Sequence, residues 1–157
     1  MTDQAAGLRA WANPPAGRVI GRGHPAGDFL EAYDWELLEE RLGFLRIRAG
    51  LPTHVRNPRG QLFGGFTPTY VDMIALMTVR AGTDRAAEPR RWLATTNMRV
   101  DYFEPIVGPE FIVESELEKR RGRTCFVLTR FFQDDELAAH AVTTIRELML
   151  DRPLGDA

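Results

Sequence analysis

The segment that most constrains this chain is Thr69-Tyr70-Val71-Asp72-Met73-Ile74-Ala75-Leu76-Met77-Thr78-Val79, which is apolar nearly all round at helical period. A helix of that kind must be covered on most of its sides. Thr67-Pro68 opens it, Thr as cap and Pro at the first helical position, and Arg80-Ala81-Gly82 closes it. After a polar link at 83–90 the chain reads as strands. Met98, Val100 and Tyr102 alternate with Asn97, Arg99 and Asp101, and Phe111, Val113, Ser115 and Leu117 alternate with Ile112, Glu114, Glu116 and Glu118. Pro105-Ile106-Val107-Gly108-Pro109, Arg120-Arg121-Gly122 and Gln133-Asp134-Asp135 are turns, and a last strand covers about 136–149. Short links of this kind predict an antiparallel meander. A sheet with one apolar face must wrap a lone apolar helix, so the expected class is α+β with one central helix.

Upstream, residues 1–27 are rich in Ala, Gly and Pro and read as a flexible N-terminal arm, offering little apolar surface against ordering entropy. Asp28-Phe29-Leu30-Glu31 has the spacing of a helix cap with a reciprocal acid. Phe29, Tyr33 and Leu37 recur four apart, which predicts a helix that stops at Gly43. Leu45, Ile47 and Leu51 predict a strand within 44–56. The expected organisation is one domain over 28–150 and a frayed tail at 151–157; 157 residues is an ordinary size for one domain.

Composition narrows the function. The net charge is −2, which disfavours a general nucleic-acid binder. No apolar run approaches the roughly 18 residues of a membrane span, so a cytoplasmic chain with no membrane partner is expected. The one cysteine, Cys125, excludes an intramolecular disulfide framework, and within its strand it reads as a buried thiol. His24, His54 and His140 lack metal-ligand spacing, so no metal is expected. Neither a Gly-x-Ser-x-Gly nor a phosphate-loop pattern occurs.

Asp72 is the informative side chain, the only acid of the apolar helix. Desolvation opposes its charge, and a carboxylate so placed can act as general base or nucleophile; capping a backbone group or pairing with an arginine explains it equally well. Gly64-Gly65, just before the helix, lets backbone approach a ligand, and its N–H groups can hold an oxyanion; an ordinary tight turn is the simpler account. Asn57 and Thr95 can each bond a carbonyl or a water, or serve as a turn residue and a strand hydroxyl. Lys119-Arg120-Arg121-Gly122-Arg123 either holds phosphates or is a solvated turn.

Taken together, Asn57-x-x-Gly60-x-x-Phe63-Gly64-Gly65 followed by Asp72 resembles the signature of hotdog-fold acyl-CoA thioesterases, nearest to the phenylacetate-pathway type. That pattern is Asn-x-x-Gly-x-x-His-Gly-Gly with an Asp nine positions after the His; Phe63 and Asp72 are also nine apart. Thr95-Thr96-Asn97-Met98-Arg99-Val100-Asp101-Tyr102-Phe103-Glu104-Pro105 is similar to the family's second strand. The resemblance implies a curved antiparallel sheet around the helix and hydrolysis of acyl-CoA thioesters, with coenzyme A a part of the substrate and no separate cofactor. It implies Asp72 as general base or nucleophile, the Gly64 N–H as oxyanion donor, and Asn57 and Thr95 as positioners. Gly65 and Phe63 would line the substrate, Arg120, Arg121 and Arg123 would meet the nucleotide, and sites would form between the subunits of a homodimer or homotetramer. Phe63 stands where the family has His; a phenyl ring makes no hydrogen bond, although the backbone donor and the acid survive the change. The loss of one contact to an oxyanion costs about 10²–10³ in rate. Two rival readings follow: a non-catalytic module that binds acyl-CoA or a related ligand, and a dehydratase that would need His54 in the missing role.

Overall fold

The computed structural model describes residues 14–83 and 91–150. The elements in chain order are helix α1 (Pro25–Phe29), strand β1 (Glu36–Arg41), strand β2 (Phe44–Gly50), helix α2 (Thr67–Arg80), and strands β3 (Arg91–Tyr102), β4 (Glu110–Arg121), β5 (Thr124–Gln133) and β6 (Glu136–Met149). One six-stranded antiparallel sheet has the order β1-β2-β4-β5-β6-β3. It curves around α2, and the helix packs against β2, β3, β4, β5 and β6. This is the α+β hotdog arrangement. Tyr70, Val71, Met73, Ile74 and Met77 of the helix meet Ile47, Val113, Phe131 and Ala141 of the sheet in one buried core. Strand alternation explains this: Val113, Ser115, Val127, Thr129 and Phe131 turn inward and are buried, while the positions between them face outward and are only partly buried.

Four expectations need correction. The helix foreseen between Asp28 and Gly43 does not form. α1 begins earlier, at Pro25, with His24 as its cap: the ring Nδ1 accepts the Gly27 N–H at 3.1 Å. Asp28 instead accepts the Gly23 N–H. Glu31 adopts left-handed backbone (φ 54°), which breaks helical continuation, and Leu37 enters β1. Gly43, at φ +70°, is a turn residue between β1 and β2 rather than a helix stop. Secondly, residues 14–27 are not a loose arm. Val19 and Ile20 are buried, Arg18 bridges to Glu36, and the Leu37 N–H bonds to the Gly17 carbonyl at 3.0 Å. The expectations for residues 1–13 and 151–157 lie outside the described residues.

Thirdly, the last four strands are not one meander. β4-β5-β6 is, but β3 crosses to the far edge and pairs with β6. The link after β3 cannot fold back as a hairpin, because it is held against the loop before α2: Leu62 N–H bonds Ile106 O and Leu51 N–H bonds Pro109 O, both at 2.8 Å. Fourthly, Phe66, not Thr67, occupies the cap position of α2 and makes no side-chain cap; Thr67 is buried in the first turn. Among the described residues no helix is long and apolar enough to cross a membrane.

Candidate active site

The helix α2 is not covered on every side. Thr69, Asp72, Leu76 and Arg80 are only partly buried, and their spacing of three or four places them in one stripe. That stripe lies along β3. Thr95 donates its hydroxyl hydrogen to Asp72 Oδ1 at 2.5 Å, and Arg80 Nη2 donates to the Arg91 carbonyl at 3.1 Å. The sequence-predicted pair Asp72 and Thr95 is therefore brought together from positions 23 residues apart. A register shift between Thr95 and Asn97 against β6 marks a bulge at this point. Such a bulge re-aims side chains of an edge strand.

Before the helix, Phe63 to Phe66 form a tight turn closed by the Phe66 N–H on the Phe63 carbonyl at 2.8 Å. Gly64 and Gly65 occupy its two central positions. Neither has positive φ, so glycine is not needed there for backbone conformation. At Gly65 an added Cβ would lie 2.7 Å from the Phe63 ring, which would have to shift. Phe63 itself is 51% exposed and meets Phe66 edge-on at 5.7 Å between centroids. Among the described residues the N–H groups of Gly64 and Gly65 have no acceptor. They stand beside the N-terminus of α2, where the helix dipole favours negative charge.

The other sequence candidates divide. Asn57 closes its own loop: its Oδ1 accepts from the Arg59 and Gln61 N–H groups at 2.9 and 3.1 Å, and its Nδ2 donates to Gln61 Oε1. Its side chain is thus a loop former here, and no contact joins it to Asp72. His54 bonds the Phe29 carbonyl at 2.5 Å through Nε2 and packs on the Phe29 ring, holding the end of α1 rather than meeting Asp72. Arg120 is drawn into an ion pair with Glu147 at 3.0 Å, whereas Arg121 and Arg123 have no acid partner among the described residues. Burial pushes the Cys125 thiol up, and its Sγ donates to Glu147 Oε1 at 3.5 Å.

Sequence reasoning missed Tyr102. It ends β3, is 53% exposed, and donates its hydroxyl hydrogen to the Gly64 carbonyl at 2.7 Å. A cavity of about 240 Å³ opens beside it, walled by Gly64, Thr67, Tyr102, Phe103 and Ile106. Only the alternation of the strand was available in the sequence, and that puts Tyr102 on the helix side without saying what it meets.

Against known families, the thioesterase superfamily model matches residues 59–139, more than half of the chain. The chain belongs to the thioesterase superfamily. It is accordingly a thioester hydrolase, and the matched span contains the Gly64-Gly65 turn, Asp72, Thr95 and Tyr102. No curated protein matches it in sequence. Solved structures share the fold at low identity. A phenylacetic acid degradation-related protein of Ralstonia eutropha JMP134 superposes with TM-score 0.66 at 22% identity, over 92% of this chain and 99% of that one. Thioesterase superfamily member 2 of Mus musculus gives 0.64 at 20% identity, over 78% and 87%. A hypothetical thioesterase protein of Streptococcus pneumoniae TIGR4, solved with coenzyme A, gives 0.62 at 16% identity, over 76% and 89%.

Proposed function

We propose that this thioesterase hydrolyses acyl-CoA to free acid and coenzyme A, with Asp72 as general base or nucleophile. The observation that carries this is the Asp72–Thr95 contact on the open stripe of α2, in the same helix that the Gly64-Gly65 turn precedes. In the general-base form Asp72 takes a proton from water as the water oxygen bonds to the thioester carbon. The carbonyl π pair moves onto oxygen, where a turn N–H receives it. The pair then returns, the C–S bond breaks, and the thiolate leaves and is protonated. A general base supplies about 10²–10⁴ in rate, and an oxyanion donor about 10²–10³. Thr95 holds the carboxylate oriented. The cavity beside Gly64 supports substrate binding there, and Arg121 and Arg123, which have no acid partner among the described residues, suit a nucleotide phosphate.

The active form proposed is a homodimer in which a second copy pairs along β3. That strand has twelve residues and no neighbour on its outer side among the described residues, and the half-covered helix stripe lies beside it. A partner there would wall Asp72, so each site would lie between two subunits.

The test is release of free thiol from short, long and aromatic acyl-CoAs, by wild type and Asp72→Asn side by side. Turnover in wild type that drops about 100-fold or more in the variant supports the reading. Equal turnover in both removes Asp72 from the mechanism. Silence from both, with a melting temperature raised by acyl-CoA, favours a binding module, for which the Phe63 ring packed against Gly65 is the specific motive.

A further inference from the structure

The two peptide units of the Gly64-Gly65 turn are each held by their carbonyl. The Phe63 carbonyl accepts the Phe66 N–H, and the Gly64 carbonyl accepts the Tyr102 hydroxyl. In a trans peptide the N–H points away from its own unit's carbonyl. The Phe63 carbonyl therefore sets the direction of the Gly64 N–H, and the Gly64 carbonyl that of the Gly65 N–H. The first constraint is local, built into the turn. The second reaches across 38 residues to the end of the edge strand.

Three features set Tyr102 apart from an ordinary packing residue. Half of it is exposed, so it adds little to the core. Its partner is a turn carbonyl that water would otherwise satisfy. Its ring rests on the one face of Gly64 that a glycine leaves bare: an added Cβ would lie 3.6–3.8 Å from the ring and hydroxyl atoms. Successive N–H groups in a turn make an anion-binding concavity. Such a concavity contributes to catalysis only when its donors do not reorganise during the reaction.

We propose that Tyr102 is a positioning residue of this hydrolase: by clamping the Gly64 carbonyl it makes the Gly65 N–H a second oxyanion donor beside that of Gly64. The inference rests on the thioesterase reading above. It adds a residue outside the loop and helix that carry that reading, and it explains why the edge strand extends as far as Tyr102.

Tyr102→Phe keeps the ring and removes the clamp. Two measurements decide the matter: steady-state kinetics on the best acyl-CoA, and amide dynamics of Gly64 and Gly65 by nitrogen-15 relaxation. The expected result is kcat lower by about 10-fold to 100-fold, short of the roughly 10²–10³ for a donor removed outright, with KM within about two-fold. The Gly65 order parameter should fall from about 0.85 toward 0.6 while that of Gly64 stays. Unchanged kcat, or a rise in KM alone, overturns the catalytic role. An unchanged Gly65 amide overturns the clamp. A wild type without turnover defeats the thioesterase reading and the catalytic role with it, whereas the amide measurement still decides whether Tyr102 fixes the turn.

Discussion

The two edges of the sheet are built differently. β1 is six residues long, carries Glu36, Glu39, Glu40 and Arg41, and shifts register between Leu37 and Glu39. Its outer side is already occupied at one end, by the Arg18–Glu36 bridge and the Gly17–Leu37 bond. Short, charged, bulged and partly covered is how a sheet avoids unwanted pairing. β3 is twice as long, its central stretch Leu93–Met98 carries no charge, and among the described residues no strand pairs with its outer edge. All three ties that position the candidate site, Tyr102–Gly64, Thr95–Asp72 and Arg91–Arg80, run from this open edge to the helix or the turn before it. The guarded edge closes the fold; the open edge holds the residues of the proposed site and is the edge on which the proposed second copy would pair.

Breaking the contrast at its strongest point means putting charge on the open stripe. Leu76→Arg should leave the monomer folded, because Leu76 is only partly buried, but should reduce the mass by light scattering from twice 17.7 kDa to 17.7 kDa. A variant that still dimerises would show that the interface lies elsewhere. Next in size is a pair of tryptophans. Trp35 is fully buried beside β1, stacked on Tyr70 at 5.5 Å, whereas Trp92 on β3 is 36% exposed. Trp35→Ala should cost about 3–5 kcal/mol in urea unfolding, and Trp92→Ala about 1 kcal/mol or less. Similar costs would mean that the β3 edge is as fully buried as the core.

Gly82 provides a smaller test on the guarded side. It has φ +69°, and an added Cβ would lie 2.8 Å from the backbone of Leu42, in the turn between β1 and β2. Gly82→Ala should destabilise by about 1–3 kcal/mol, read from the denaturation midpoint. The smallest effect expected is pH-dependent. Burial pushes the His24 ring down, against the raising influence of Asp28. A depressed folded-state pKa favours the neutral ring, so this stabilisation is complete above the ordinary histidine value of about 6.5 and is lost as pH falls through the lowered folded value. The melting temperature should therefore drop between pH 7 and pH 5. His24→Asn, which can still cap α1, should flatten that part of the profile.

Much of this was legible in the sequence. The run from Tyr70 to Val79 has no polar face wide enough for a surface helix, and α2 followed. Strands β4, β5 and β6 form where the pattern puts them, β4 running on through Arg121 into the expected turn. Asp72 stood out because it was the one acid in that run. The misreadings share a cause. Phe29, Tyr33 and Leu37 match a helical face by spacing, yet Leu37 gains more from pairing in β1, where tertiary contact outweighs a local pattern. Asn57 is a different case: it keeps its place in the family motif, and what no spacing reveals is that its amide also closes its own loop with Arg59 and Gln61.

What the sequence determined by itself is the central helix, the acid inside it and the strands that follow it, because the period of apolar residues is a local property of the chain. The tertiary structure alone decided that β3 lies at the far edge, that the stripe through Asp72 is left open along it, and that Tyr102 reaches Gly64. Backbone hydrogen bonds are alike for every pair of strands, so nothing local distinguishes one neighbour from another. Which strands pair depends on how the whole sheet closes around α2.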